Sequence, residues 1–297
     1  MAFDISMVAL KKLEMNFYED QGFEDSDNEF VINAPILEHL TLRDDYFALY
    51  RLKNLSSLFR ADIDVGVGCI GFYGLKERAN TVYELLKGIS NVEYLTLGAR
   101  TIGVSLAFML TVGILWIERT CKYSIRASQR NLQRGVSYSK CPYHGGDYAD
   151  DNNPPLLFPN ITHLKLCVSN SSGWKRLTYL LGCMPNLENL VLEVSTKKEF
   201  ELHDRLNLAV EPNWIEPVPE QTPACLLLRL KEIGLRGFTS KIYHLNLIKY
   251  LLENAKVLIM MAISTCNLAV EDEVEFLRHL VTCRRHALAC TIELSGK

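Results

Sequence analysis

Three stretches superimpose without a gap: YELLKGISNVEYLTL at 83–97, TYLLGCMPNLENLVL at 178–192 and KYLLENAKVLIMMAI at 249–263. In each, a leucine (Leu86, Leu181, Leu252) stands six residues ahead of an apolar position that opens the pattern L-x-x-L-x-L. The first part of each stretch reads as the end of a helix, and the middle as a short turn. The alternation over the last residues is that of a strand with one buried face. The predicted unit is therefore helix, turn, strand.

Working outward, the same pattern recurs at Leu10-Leu13-Met15, Leu37-Leu40-Leu42, Val92-Leu95-Leu97, Ile161-Leu164-Leu166 and Leu187-Leu190-Leu192. Further copies are Leu230-Ile233-Leu235 and Leu258-Met261-Ile263, with a weaker one at Leu58-Ala61-Ile63. Spacings of 27 residues (Leu10 to Leu37), 26 (Ile161 to Leu187) and 28 (Leu230 to Leu258) fall in the range of leucine-rich repeats. The gap from Leu37 to Val92 holds two units, and the gaps after Val92 and Leu187 require insertions. One unit leaves its apolar side bare, so neighbours must stack to hide it. Pro35 and Pro185 stand just before two of the strands, where a missing amide donor costs little. The expected fold is α/β, an irregular, interrupted leucine-rich-repeat solenoid.

Bulk composition narrows the function classes. A formal charge of -3 over 297 residues gives no electrostatic reason for a nucleic-acid partner. Nine cysteines, several inside apolar repeats, read as reduced thiols and point to the cytoplasm or nucleus. The start, MAFDISMVALKKLEM, lacks the pattern of a signal peptide. The longest apolar run, residues 102–117, falls short of an ordinary membrane span, so a buried element is expected there. Acceptor-like Asn54 and Asn170 are short matches that chance supplies.

Between the repeats the chain changes character. Residues 16–30 (NFYEDQGFEDSDNEF) and 64–80 read as loops, as does Ser195 to His203. The expected organisation is a repeat region over 1–99, an atypical insertion or disordered segment over 100–157, the repeats continued over 158–210, and an α/β cap over 211–297. Within the cap, helices are expected at Tyr243–Asn254 and Glu271–His279 and a last strand from Cys290. Trp214, between Pro212 and Pro217, is expected to pin the incoming segment by burial, so that Trp214→Ala would cost roughly 3–5 kcal/mol.

Trp214, Pro217, Val218 and Pro219, then LKEIGLRGF at 230–238, IKYLLENAKVLIMMAI at 248–263 and the ending His286 to Leu294 resemble the C-terminal FBD domain of plant F-box proteins with leucine-rich repeats. APILEHLTLRD at 34–44, NTVYELLKGISNVEYLTL at 80–97, FPNITHLKL at 158–166 and GWKRLTYLLGCMPNLENLVLE at 173–193 resemble the repeat region of that family. The resemblance covers most of the chain. It implies a non-enzymatic scaffold like the substrate-recognition part of an F-box ubiquitin-ligase receptor. The family's F-box recruits a Skp-type adaptor. Here the repeat pattern begins by Leu10, so the expectation is the recognition half without the F-box, and a protein target of unknown identity. The alternatives are a truncated product with no adaptor role, a hydrolase, or a membrane-attached protein.

No H-E-x-x-H, G-x-S-x-G, dinucleotide or phosphate-loop pattern occurs, so no catalytic residue and no cofactor is expected. Cys141 and His144, with Cys121 upstream and Asp147, Asp150 and Asp151 nearby, do not complete a zinc set. A hydrolase would have to gather Cys141, His144 and a carboxylate. For binding, the x positions of the repeats form rows on one face of a stacked array. Those rows are expected to include His39, Thr41, Glu93, Thr96, His163, Lys165, Asn189, Val191 and Glu232, with Arg43, Asp44, Asp45 and Tyr46 added from loops.

Overall fold

A computed structural model describes residues 2–17, 28–45, 48–66, 75–102, 156–168, 174–194, 222–265 and 270–296. Twelve strands run through these residues. They are β1 (Ala2–Ser6), β2 (Lys12–Phe17), β3 (Glu29–Asn33), β4 (His39–Asp44), β5 (Leu49–Lys53) and β6 (Arg60–Val65). After them come β7 (Tyr94–Leu97), β8 (His163–Val168), β9 (Asn189–Val194), β10 (Glu232–Phe238), β11 (Met260–Thr265) and β12 (Thr291–Gly296). The helices are α1 (Leu75–Gly88), α2 (Trp174–Gly182), α3 (Ala224–Leu228), α4 (Ile242–Asn254) and α5 (Val270–Thr282).

Nine strands form one sheet in the order β12-β11-β10-β9-β8-β7-β6-β4-β2, and every described pairing is parallel. The protein is thus mixed α/β with parallel sheets. Register is locked by the apolar pattern, because a slip of one residue would turn each strand's leucines to solvent. Leu13, Leu40, Ala61, Leu95, Leu164, Leu190, Ile233, Met261 and Ile292 align in one row across the sheet. A second row, two residues on, runs from Met15 through Leu42, Ile63, Leu97, Leu166, Leu192, Leu235 and Ile263 to Leu294. Leu40, Leu95, Leu164 and Leu190 are each at most 1% exposed. Burial of one such side chain is worth about 1.5–3 kcal/mol.

What covers these rows from behind changes along the chain. At the N-terminal end the cover is a second parallel sheet, β1-β3-β5, whose strands alternate in the chain with β2, β4 and β6. Its register stacks Phe3 on Phe30 (5.1 Å) and Phe30 on Tyr50 (5.5 Å), and Phe17 of β2 meets Phe30 at 5.2 Å. Asp44, fully buried at the end of β4, accepts from the Ala48 amide (2.7 Å) and the Tyr50 hydroxyl (2.8 Å), tying front to back. From α1 onward the cover is helical. Val82, Leu85, Leu86 and Ile89 form the inward stripe of α1 and its end, and Leu177, Leu180, Leu181 and Met184 repeat that spacing on α2. Ile248, Leu251, Leu252 and Ala255 do the same on α4 and its end, where the last turn is capped by the Asn254 side-chain amide donating to the Tyr250 carbonyl (2.8 Å).

Several sequence expectations need correcting. Residues 16–30 and 64–80 are not wholly loop: Asn16 and Phe17 end β2, Glu29 opens β3, and α1 begins at Leu75. The helix-turn-strand unit does not hold for the first turns, where strands replace helices. The helices expected at Tyr243–Asn254 and Glu271–His279, and the last strand, occur with small shifts of boundary. The sheet passes from β9 to β10 without a break. Gly237, at φ 75°, sits where the register shifts between Arg236 and Phe238, a backbone conformation that side chains disfavour. The insertion beyond residue 102, the loop at 195–203 and Trp214 lie outside the described residues.

A candidate recognition face on the nine-stranded sheet

The same alternation that buries the leucines turns the residues between them to the open side. The first open row reads Lys12, His39, Arg60, Tyr94, His163, Asn189 and Glu232 from β2 to β10. The second reads Glu14, Thr41, Asp62, Thr96, Lys165, Val191 and Gly234. Between β2 and β9 these rows line a groove of about 560 Å³. Tyr94 is its centre: His163 stacks on one side at 4.1 Å between ring centroids, and the Arg60 guanidinium lies 4.9 Å from the ring centroid. Phe59, just before β6, tilts against Tyr94 at 4.8 Å.

Most charges here already have a counterpart. Lys165 pairs with Glu193 (2.6 Å), Arg43 with Asp62 (3.4 Å) and Lys12 with Glu14 (3.7 Å). At the far ends of β4 and β6, Arg100 is held between Asp45 and Asp64, and it is only 13% exposed. His163 Nδ1 lies 2.8 Å from the Thr162 hydroxyl, which donates to Glu93 at 3.3 Å.

The groove gathers His39, Thr41, Thr96, His163, Lys165, Asn189 and Val191 of the expected set. Glu93 is not among them. It aligns with Glu38, Thr162 and Glu188, one residue before the open row, where its carbonyl accepts from the Thr162 and His163 amides. Its side chain borders a separate cleft of about 620 Å³ along the rim, with Ser56, Asn160, Glu188 and Arg229. Glu232 continues the first row beyond the groove and accepts from the Asn189 amide at 2.7 Å. Asp44 is buried and Asp45 engaged by Arg100, so neither belongs to an open loop surface. Tyr46 lies outside the described residues.

Lys12, Arg60, Asp62 and Tyr94 line the groove but were not anticipated. Tyr94 was recoverable, since the offset that selects His39 and Thr41 after Leu37 selects Tyr94 and Thr96 after Val92. Arg60 and Asp62 flank Ala61, whose small side chain blurs the repeat.

Described thiols are not activated. Burial pushes Cys183 and Cys225 up to about 11, and raises Cys167, Cys283 and Cys290 as well. Among the described residues no three His, Cys, Asp or Glu gather as a metal site, and no helix is long and apolar enough to cross a membrane. Cys121, Cys141, His144 and the nearby aspartates lie outside the described residues.

Fold and face together define an α/β protein of stacked parallel strands with one broad, polar, open sheet surface. Residues 218–263, spanning β10, α4 and most of β11, match the FBD family model. An F-box/FBD/LRR-repeat protein of Arabidopsis thaliana is 28% identical over 86% of this chain and 45% of its own length. A putative F-box/FBD/LRR-repeat protein of the same plant is 24% identical over 97% of this chain and 52% of its own. An FBD-associated F-box protein is 28% identical over 78% and 40%. The chain therefore resembles plant F-box/FBD/LRR-repeat proteins over most of its length, and spans about half the length of the curated relatives it matches. No solved structure matches it.

Proposed function

We propose that the chain is a non-enzymatic protein-binding scaffold, and that its nine-stranded sheet is the strand side of a leucine-rich-repeat solenoid. In this reading residues 1–99 and 158–210 supply the repeats and 211–297 an FBD-like cap. The observation that carries it is the continuous open face: two in-register rows over seven strands, polar but for Val191 and Gly234, with a stacked aromatic centre and a groove. Rings and cations at such positions are what interface anchors are made of. By its relatives' names the chain sits with F-box proteins, and the features described are repeats and an FBD domain. Target recognition, as in the substrate-binding part of a ubiquitin-ligase receptor, is thus the role proposed for it; attachment to a Skp-type adaptor is not. The five described cysteines are free thiols, which fits the cytoplasm or nucleus.

The test is quantitative affinity capture with the whole protein and two variants of equal thermal stability. One removes the aromatic centre (Tyr94→Ala with His163→Ala); the other alters the exposed pair Glu84 and Lys87 on α1 to alanine. Targets should be retained by the α1 variant and fall roughly tenfold with the sheet variant. A captured set that is the same for all three proteins would overturn the reading.

A further inference from the structure

The first open row has a polarity that the ion pairs around it conceal. Two of its charges are left without an opposite charge among the described residues. Arg60, on β6, is exposed and engages only the face of Tyr94. Glu232, on β10, is exposed and takes only the neutral Asn189 amide. Between them on the same row lie Tyr94, His163 and Asn189. Four strand spacings separate the two ends, roughly 19 Å at about 4.8 Å per strand, which an extended chain covers in about six residues. One end offers a bidentate donor fork to a carboxylate, the other a carboxylate to an ammonium or guanidinium.

Resting on the protein-binding reading above, we propose that this row is a charge-polarised track for an extended segment of a protein partner. The segment carries one acidic and one basic side chain about six residues apart, with the intervening residues lying over the Tyr94–His163 stack. The polarity argues against a nucleic acid: a continuous polyanion favoured by Arg60 would meet the uncompensated Glu232 as it crossed the sheet. It equally argues against a uniformly acidic peptide, which gains at β6 and is repelled at β10.

The experiment uses the full chain and fluorescein-labelled Ser/Gly peptides that carry one Asp, one Tyr and one Lys. Asp and Lys are separated by two, five or eight residues, and binding is read by anisotropy at low and moderate salt. The five-residue spacing should bind best, roughly tenfold tighter than a peptide with Asp and Lys both replaced by Ser. Arg60→Glu and Glu232→Arg should each remove most of that difference. The double reversal should restore it, because the track then accepts the same peptide in the opposite direction. Both positions are exposed, and unchanged melting verifies that the variants fold.

Equal binding at all three spacings, binding of the Asp–Lys peptide that Arg60→Glu and Glu232→Arg leave unchanged, or displacement by single-stranded DNA would each overturn the track. If target capture depends on Tyr94 and His163 while Arg60→Glu and Glu232→Arg leave it intact, the recognition face stands and the track alone fails.

Discussion

The two ends of the protein present the same front with different backs. From β2 to β6 the apolar rows are covered by strands, and from α1 onward by helices. Nevertheless Leu40, at the strand-backed end, and Leu190, at the helix-backed end, occupy one row and are equally buried. What a repeat of this kind specifies is therefore its front strand. The back needs only to be apolar and to return the chain to the start of the next strand. Unit length does not decide which element does so: the 27 residues from Leu10 to Leu37 return through the five-residue β3, whereas the 26 from Ile161 to Leu187 return through the nine-residue α2. Each kind of unit is stitched to its predecessor alike: the Ser56 hydroxyl donates to the Pro35 carbonyl (3.3 Å), and the Asn186 amide to that of Pro159 (2.8 Å).

The largest effect should come from deleting the shared row. Leu190→Ala and Leu40→Ala each remove a buried side chain and should each cost about 2–5 kcal/mol in equilibrium denaturation. A small cost for Leu40→Ala alone would break the comparison, for it would mean that the strand-backed turns do not grip their front row. Two separate transitions, each moved by only one of the variants, would sharpen it into two cooperative blocks.

This equality of the fronts explains what could be read from sequence. Leucines at fixed offsets forecast the register of β4, β7, β8 and β9, because one-sided burial leaves no other solution. The back strands were not legible: FVIN of β3 sits beside an acidic stretch, and LYRLK of β5 follows Asp44 and Asp45, so neither carries a repeat signature of its own. Asp44 was misread because a charged side chain at a strand end is ordinarily solvated, and only the folded back sheet supplies Tyr50 to bury it. On the open face the error at Glu93 was one of register, and the absence of Arg60 was one of signal, a leucine replaced by alanine.

The next effect belongs to the helix-backed end alone. His244, at the start of α4, is fully buried; its Nδ1 accepts from the Thr239 amide at 3.0 Å, and the Phe238 ring lies 4.7 Å away. Burial, with Lys241 nearby and against the Thr239 hydrogen bond, lowers its pKa from 6.5 to about 4. The unfolded chain then binds the proton first as the solution is acidified. The neutral ring's contribution is complete above pH 6.5 and is lost as the pH falls from 6.5 toward 4, amounting to about 3 kcal/mol. Amide exchange should therefore accelerate in β10 and β11 over that interval before it does in β4 and β6. His244→Phe should flatten the difference. Uniform acceleration in both regions, unaffected by that variant, would assign acid sensitivity to the whole sheet.

The smallest effect lies on the rim, where both ends carry the same device. Lys11 pairs with Glu38 at 2.9 Å beside the strand-backed turns, and Lys231 with Glu188 at 2.7 Å beside the helix-backed ones. In each case the lysine's hydrogen bond is the main reason that the carboxyl lies below its usual value. Such a contribution exists only above the carboxylate range and fades as the pH falls through it. Both pairs stand in solvent, where screening and the entropy of holding long side chains oppose the attraction. Lys11→Ala and Lys231→Ala should thus leave the denaturation midpoint where it was at physiological salt. A clear loss from Lys231→Ala but none from Lys11→Ala would mean that the two ends differ at their rim as well as at their back. The front would then no longer be equivalent along its length.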